Sequence, residues 1–241
     1  MIDEHLQELE EFWDDFAEDY EQIQQESRFP IAKELKQFLL EQSILPAGSF
    51  LDLAGGSGRY FAELQDSVKQ YTLVDISKEM LAIAKTKQQD ADVAFVHQDQ
   101  DSFFQTNSQT YDVVFTAMNP VLLTKEDLLA FTAQSHNWCL IFRLVEEKDS
   151  LFSPYEEPDD EVELMNLYQQ LLTEEKFTFY TKEFLFTSRE EVSRDFFEAY
   201  FEAAFSEGQL QDIADRLFGK NDRQTNFQTV KYQLIYYQNS K

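Results

Sequence analysis

The residues best suited to chemistry lie where short apolar runs give way to helical patterns. The first is Phe50-Leu51-Asp52-Leu53-Ala54-Gly55-Gly56-Ser57-Gly58-Arg59, a hydrophobic strand that breaks into small residues and then opens a helix. A turn this tight needs residues without bulk, and Gly56 and Gly58 let the backbone approach a ligand closely. Free amides at the start of the following helix favour an anionic group such as a carboxylate. The second is Leu73-Val74-Asp75-Ile76-Ser77-Lys78-Glu79-Met80-Leu81, a strand ending in an acid 17 residues beyond Gly58. A carboxylate there can accept hydrogen bonds from both hydroxyls of a ribose, and Ser77 suits a helix N-cap.

Two common nucleotide readings fail on this loop. A dinucleotide fingerprint wants glycines at its first, third and sixth positions, and Arg59 and Phe61 occupy the sixth places. A phosphate loop ending in Gly-Lys-Ser/Thr is also missing. Taken alone, Asp75 reads as a solvated strand-end acid; two motifs in order at this spacing favour the ligand reading.

A third stretch, Val96-His97-Gln98-Asp99-Gln100-Asp101, and a fourth, Tyr111-Asp112-Val113-Val114-Phe115-Thr116-Ala117-Met118-Asn119-Pro120, follow in register. His97 reads as a packed residue in or beside its strand. Ligands of open α/β sheets bind at the carboxyl ends of the strands, which places Thr116 to Pro120 beside a bound molecule.

Together these stretches resemble the class I S-adenosylmethionine-dependent methyltransferases of small-molecule type. Asp52, Ala54, Gly55, Gly56 and Gly58 resemble the first motif, with Ala54 where glycine is commoner. Asp75-Ile76-Ser77-x-x-Met80-Leu81 resembles the second. The resemblance implies that Asp75, Ile76 and Met80 contact the nucleoside, Asp99 the adenine amino group and Gln100 the ring through its backbone, with Asp101 a rival to Asp99. It also places Thr116 at the cofactor. Asn119-Pro120 resembles half of an amino-methylating motif that Val121 and Leu122 do not complete. Trp13-x-x-x-Ala17-x-x-Tyr20 is similar to a helix that closes over the cofactor in the family, with Tyr20 in contact; Trp13 and Phe16 read equally as core. The resemblance covers residues 11 to about 144.

Composition narrows the partners. Asp and Glu number 46 against 20 Lys and Arg, a formal charge of -26 that repels nucleic acid and anionic bilayers alike. The basic residues are scattered, so neither a nucleic acid nor a membrane is expected as partner. Hydrophobic residues make up 43%, with 23 Phe and 11 Tyr, enough for a folded core despite the acidity. Three His and one Cys supply no metal-ligand spacing, so no metal is expected. The acidic start lacks a basic leader, no apolar run approaches the roughly 20 residues of a membrane span, and the cytoplasm is the expected compartment.

The elements that must position these motifs follow from periodicity. Apolar residues recurring through residues 3 to 27 mark an amphipathic helix, and Pro30 opens a second with Ile31, Leu35, Phe38 and Leu39 as its buried stripe. Strands are predicted near residues 49–53, 71–75, 94–97, 113–117 and 138–144, with helices near 60–65, 78–87 and 125–135. The acidic stretch Glu146 to Asp160 with Pro154 and Pro158 reads as a long loop or lid. Beyond it come a helix near 161–174, a strand near 177–186, one or two helices in 189–218 and a strand over 229–237.

The expected fold is therefore α/β, a three-layer αβα sandwich around a mostly parallel seven-stranded sheet with an antiparallel edge strand. One methyltransferase domain over 1–241 is expected, with residues 1–47 a helical cap, 48–144 the cofactor-binding core and 145–241 the lid, substrate-side helices and last two strands. The expected activity is methyl transfer from S-adenosylmethionine to a small molecule. A sulfonium carbon is already electrophilic, so holding donor and acceptor in line suffices and no catalytic side chain is assigned. Met118, Asn119 and Arg143 are the substrate-side candidates, Arg143 either meeting an anionic group or pairing with Glu146 or Glu147. The alternatives are a cofactor-binding sensor or scaffold without turnover, and an NAD-dependent oxidoreductase, against which the missing glycines argue.

Overall fold

The computed structural model describes residues 4–89, 92–156 and 161–239. Two helices, α1 (Glu4–Glu26) and α2 (Ile31–Glu41), precede the first strand. Strand and helix then alternate: β1 (Ala47–Leu53), α3 (Arg59–Leu64), β2 (Val68–Asp75), α4 (Lys78–Thr86), β3 (Asp92–His97), α5 (Gln100–Thr106), β4 (Tyr111–Ala117), α6 (Lys125–Ala133) and β5 (Ser135–Asp149). The chain continues through α7 (Glu161–Glu174), β6 (Phe179–Ser193), α8 (Arg194–Phe201), α9 (Glu207–Phe218) and β7 (Arg223–Gln238). The seven strands form one helix-flanked sheet in the order β3-β2-β1-β4-β5-β7-β6, the expected layered α/β class.

Strands β1 to β5 pair in parallel. Such strands are covered on both faces, which is why they read as continuous apolar runs: Phe50 to Leu53 and Tyr71 to Asp75 are buried without alternation. The register brings their carboxyl ends level, with Leu53 beside Val74 and Thr116, and Asp75 beside His97. Strand β7 runs against both its neighbours. Asn137 meets Asn239 while Ser150 meets Phe227, and Tyr180 meets Tyr236 while Glu191 meets Thr225. The antiparallel strand thus lies one in from the edge, with β6 outermost.

The chain divides into two compact units, Met1–Arg143 with Leu164–Phe184 and Gln233–Lys241, and Leu144–Glu163 with Leu185–Tyr232. The first contains β1 to β4 and the first part of β5. The second has its own apolar cluster, in which Phe152, Phe197, Phe201, Ile213 and Phe218 are buried together.

Three expectations need correction. Glu146 to Asp149 are not loop but the end of β5, which reaches 15 residues. Glu147 and Lys148 stay exposed while the backbone pairs, Glu146 meets Lys148 at 2.8 Å, and Asp149 accepts from the buried Asn226. Residues 157–160 of the expected lid lie outside the described residues. A short helix, α5, was not expected, because its seven residues are too few to show a period; Asp99 caps it, accepting from the Ser102 amide at 2.9 Å. The apolar stripe of α1 is also not uniformly buried. Ala17 is 1% exposed, but Phe12 and Ile23 are 57% and 54% exposed.

Candidate active site

The turn after β1 is built from residues in left-handed backbone conformations. Ala54, Gly56 and Gly58 have φ of 56°, 55° and 77°. Left-handed backbone disfavours any Cβ, and alanine carries the smallest. Gly55 is required for a different reason. A Cβ there would lie 2.7 Å from Leu73 Cγ and 3.0 Å from Asp52 Cγ, so the turn rests directly on β1 and β2. At Gly58 the close neighbour is the Ala84 Cβ, 3.1 Å from where a side chain would begin, which lets α3 approach α4.

Asp75 ties the two motifs together. Its Oδ2 accepts from the Gly56 amide at 2.7 Å and its Oδ1 from the Ser77 amide at 2.9 Å. Burial nonetheless raises its carboxyl above the ordinary value, opposed by those amides. Each carboxylate oxygen has a second lone pair, so a ribose diol can still donate to it. A Cβ on Gly56 would find only the Met80 Sδ, 4.0 Å away. Small backbone, buried carboxylate and thioether suit a nucleoside with an amino-acid tail.

Asp52 lies beneath this surface. It is 1% exposed and accepts from the Tyr71 hydroxyl at 2.8 Å. Burial pushes its carboxyl up to about 7, with the Asp75 charge adding and the Tyr71 hydrogen bond opposing. Thr116 is likewise inward-facing, its hydroxyl donating to the Leu53 carbonyl at 2.8 Å. Both shape the floor of the turn.

At the ends of β3 and β4 the predicted residues interlock. Gln100 Oε1 accepts from Asn119 Nδ2 at 2.9 Å, and Asn119 Oδ1 accepts from the Val121 amide at 3.0 Å. Arg143 Nη1 donates to the Asn119 carbonyl at 2.8 Å. Met118 adopts φ 53°, its amide bonded to the Phe142 carbonyl at 3.0 Å. Asp99 spends one oxygen on capping α5. His97 is exposed rather than packed, its Nε2 2.8 Å from the Ile76 carbonyl and 3.0 Å from Glu10.

Residues 50–139 match the family described as methyltransferase domain. Over those residues the chain carries a methyltransferase domain, and its fold is that of the class I methyltransferases. The family match makes the reaction methyl transfer and does not identify the acceptor. The methyltransferase is similar in structure to magnesium protoporphyrin IX methyltransferase from Synechocystis PCC 6803 with bound S-adenosylmethionine, at 12% identity and a TM-score of 0.52, over 96% of this chain and 97% of that one. It is also similar to a precorrin 8W decarboxylase from Methanobacterium thermoautotrophicum, at 12% identity and a TM-score of 0.51, over 82% and 87% of the two chains. Identities this low speak to the fold alone. No curated protein matches this chain.

In the methyltransferase, α1 contributes residues the sequence reading missed. Asp14 accepts from the Ser77 hydroxyl at 2.7 Å and the Glu79 amide at 3.2 Å, and pairs with Lys78. A carboxylate at the start of α4 also complements the helix dipole. Glu21 accepts from the Ser57 hydroxyl and from Lys87, each at 2.7 Å. Glu10, Asp14 and Glu21 recur at helical spacing, so one acidic face of α1 reaches the β3 end, the α4 start and the glycine turn. That periodicity of acids was the available signal, hidden among many other acids. Tyr20 is half-buried beside Trp13 and Phe16, at ring separations of 6.0 and 6.1 Å. Among the described residues, no three His, Cys, Asp or Glu side chains gather where a metal ion would be held.

Proposed function

We propose that the whole chain acts as one methyltransferase domain that passes the methyl group of S-adenosylmethionine to a small-molecule acceptor in the cytoplasm. Residues 1–47 form its cap, 48–144 its cofactor core and 145–241 its acceptor side. The observation that carries this reading is the Asp75 carboxylate held at 2.7 Å by the Gly56 amide, which joins a sugar-binding acid to a turn of small residues.

In this reading Asp75 takes the ribose hydroxyls, and Ala54, Gly55, Gly56 and Gly58 receive the amino-acid tail. Ile76, Met80, Asp99 and Gln100 border the nucleoside, with Tyr20 above it. Asp52 and Thr116 shape the floor. The bound cofactor supplies an electrophilic methyl group, so the chain's part is to bind, orient and exclude water. Met118, Asn119 and Arg143 lie on the acceptor side, where the guanidinium fixes the loop through the Asn119 carbonyl and favours an acceptor with an anionic group. The net charge of -26 argues against nucleic acid as acceptor.

Incubation with methyl-labelled S-adenosylmethionine and panels of small carboxylates, amines and phenols tests the proposal. Label transferred to a small acceptor, and lost with Asp75→Ala, supports it. Tight cofactor binding without transfer to any panel member favours a sensor or scaffold.

A further inference from the structure

Strand β6 closes the sheet order on one side and is 15 residues long, whereas strands average about five or six. An edge of that length presents a row of backbone donors and acceptors, and soluble proteins usually shorten, bulge or cover such edges. Along β6 the sequence runs Phe179-Tyr180-Thr181-Lys182-Glu183-Phe184-Leu185-Phe186-Thr187-Ser188-Arg189-Glu190-Glu191-Val192-Ser193. Leu185 and Tyr180 are 61% and 53% exposed. Lys182, Glu183, Arg189 and Glu190 are exposed as well, and among the described residues Lys182, Glu183 and Arg189 make no ion pair within the chain.

Charges on an edge strand are a common guard against pairing, and the order of these four residues decides between guard and interface. If two copies of β6 meet antiparallel about a two-fold axis through Phe186, Lys182 falls opposite Glu190 and Glu183 opposite Arg189. The symmetry makes each pair twice, on the two faces of the joined sheet. Opposed residues must point to the same face, so the neighbouring registers differ by two residues. One such slip sets Glu183 against Glu191, and the other leaves all four charges without an opposite partner. The strand is self-complementary in one register.

We propose that β6 pairs with β6 of a second copy of this chain, forming a two-fold dimer through a continuous antiparallel sheet. An isologous contact of this kind is closed and ends at two copies. The Leu185 side chains flank the axis, each facing Thr187 of the other copy.

Light scattering on the full-length protein eluting from a sizing column tests this. The expected mass is about twice the 28.4 kDa of one chain. Lys182→Glu and Glu190→Lys each place like charges opposite one another twice, and each is expected to elute as one chain with an unchanged circular dichroism spectrum. Mixing the two variants restores both pairs, so the mixture returns to the two-chain mass, as does the double substitution within one chain. A one-chain mass for the unaltered protein at every concentration overturns the proposal. A dimer that persists in Lys182→Glu, or a mixture that stays as single chains, overturns it equally.

Discussion

Asp75 holds the Gly56 amide at 2.7 Å, so the acid ending β2 sets the shape of the turn that follows β1. Asp75→Ala removes both the turn's anchor and the proposed ribose acceptor. A hydrogen bond to a charged group contributes about 1.5–3 kcal/mol, so cofactor affinity is expected to fall by roughly ten- to a hundredfold or more. Titration calorimetry with the demethylated cofactor measures it, and an affinity within twofold of the unaltered protein counts against the assignment.

Gly55 and Gly56 are adjacent but differ in what they resist. Gly55→Ala drives a Cβ against Leu73 and Asp52, and overpacking of this kind costs about 1–3 kcal/mol. Gly56→Ala meets only the Met80 sulfur, at an ordinary contact of 4.0 Å, and bears the cost of a left-handed alanine, about 1–2 kcal/mol. The first is expected to lower the melting temperature more. The second is expected to weaken cofactor binding more, because its Cβ enters the space proposed for the ligand.

Asp52 gives the methyltransferase a pH signature. Burial raises its carboxyl from 3.8 to about 7, so the folded chain holds the proton that the unfolded chain has released. Its contribution to stability is full below the unfolded value and is lost as pH rises through 7. Asp52→Asn abolishes that titration, so the stability of the unaltered protein relative to this variant is expected to fall by a few kcal/mol between about pH 4 and pH 8. Tyr71→Phe removes the hydrogen bond that opposes the shift and is expected to move the midpoint higher. Denaturant unfolding across pH measures both, and a difference that grows with pH contradicts the assignment.

The acidic face of α1 has the opposite sign. Burial raises the Asp14 and Glu21 carboxyls, but the bonds to Ser77, Glu79 and Lys78, and to Lys87, Ser57 and Gln25, outweigh it and hold both below their ordinary values. Their stabilisation is present above those ordinary values and is lost as pH falls through the lowered ones. Asp14→Asn and Glu21→Gln are each expected to cost about 1 kcal/mol. Hydrogen exchange is expected to quicken in α1 while the amides of β1 stay protected.

Arg143 sits in an apolar run and is 3% exposed, bonded to the carbonyl of Asn119. Arg143→Met keeps its apolar stem and leaves that carbonyl short of a donor, a loss of about 1–3 kcal/mol in stability. For an anionic acceptor, KM is expected to rise with cofactor affinity unchanged. Unchanged KM assigns Arg143 to the loop alone.

Much of the parallel half was legible because buried strands leave continuous apolar runs between turns of small residues. Asp52 to Gly58 and Asp75 carried the site for the same reason: only certain residue types fit a left-handed turn or a strand-end acceptor. What stayed hidden depends on neighbours remote in sequence. Nothing around Tyr71 announces that its hydroxyl ends on Asp52, and Glu21 is one acid among 46 until α1 meets Ser57 and Lys87. The end of β5 reads as loop in the sequence because Glu146 to Asp149 are charged, whereas pairing with β7 keeps them extended.

The central claim is that the turn at Asp52 to Gly58 and the Asp75 carboxylate together hold S-adenosylmethionine. Titration calorimetry of the folded protein with S-adenosylmethionine and its demethylated form tests it most directly. Saturable binding of one molecule per chain, weakened roughly tenfold or more by Asp75→Ala, is the expected result. No heat from either compound, with the fold verified by circular dichroism, would contradict the account.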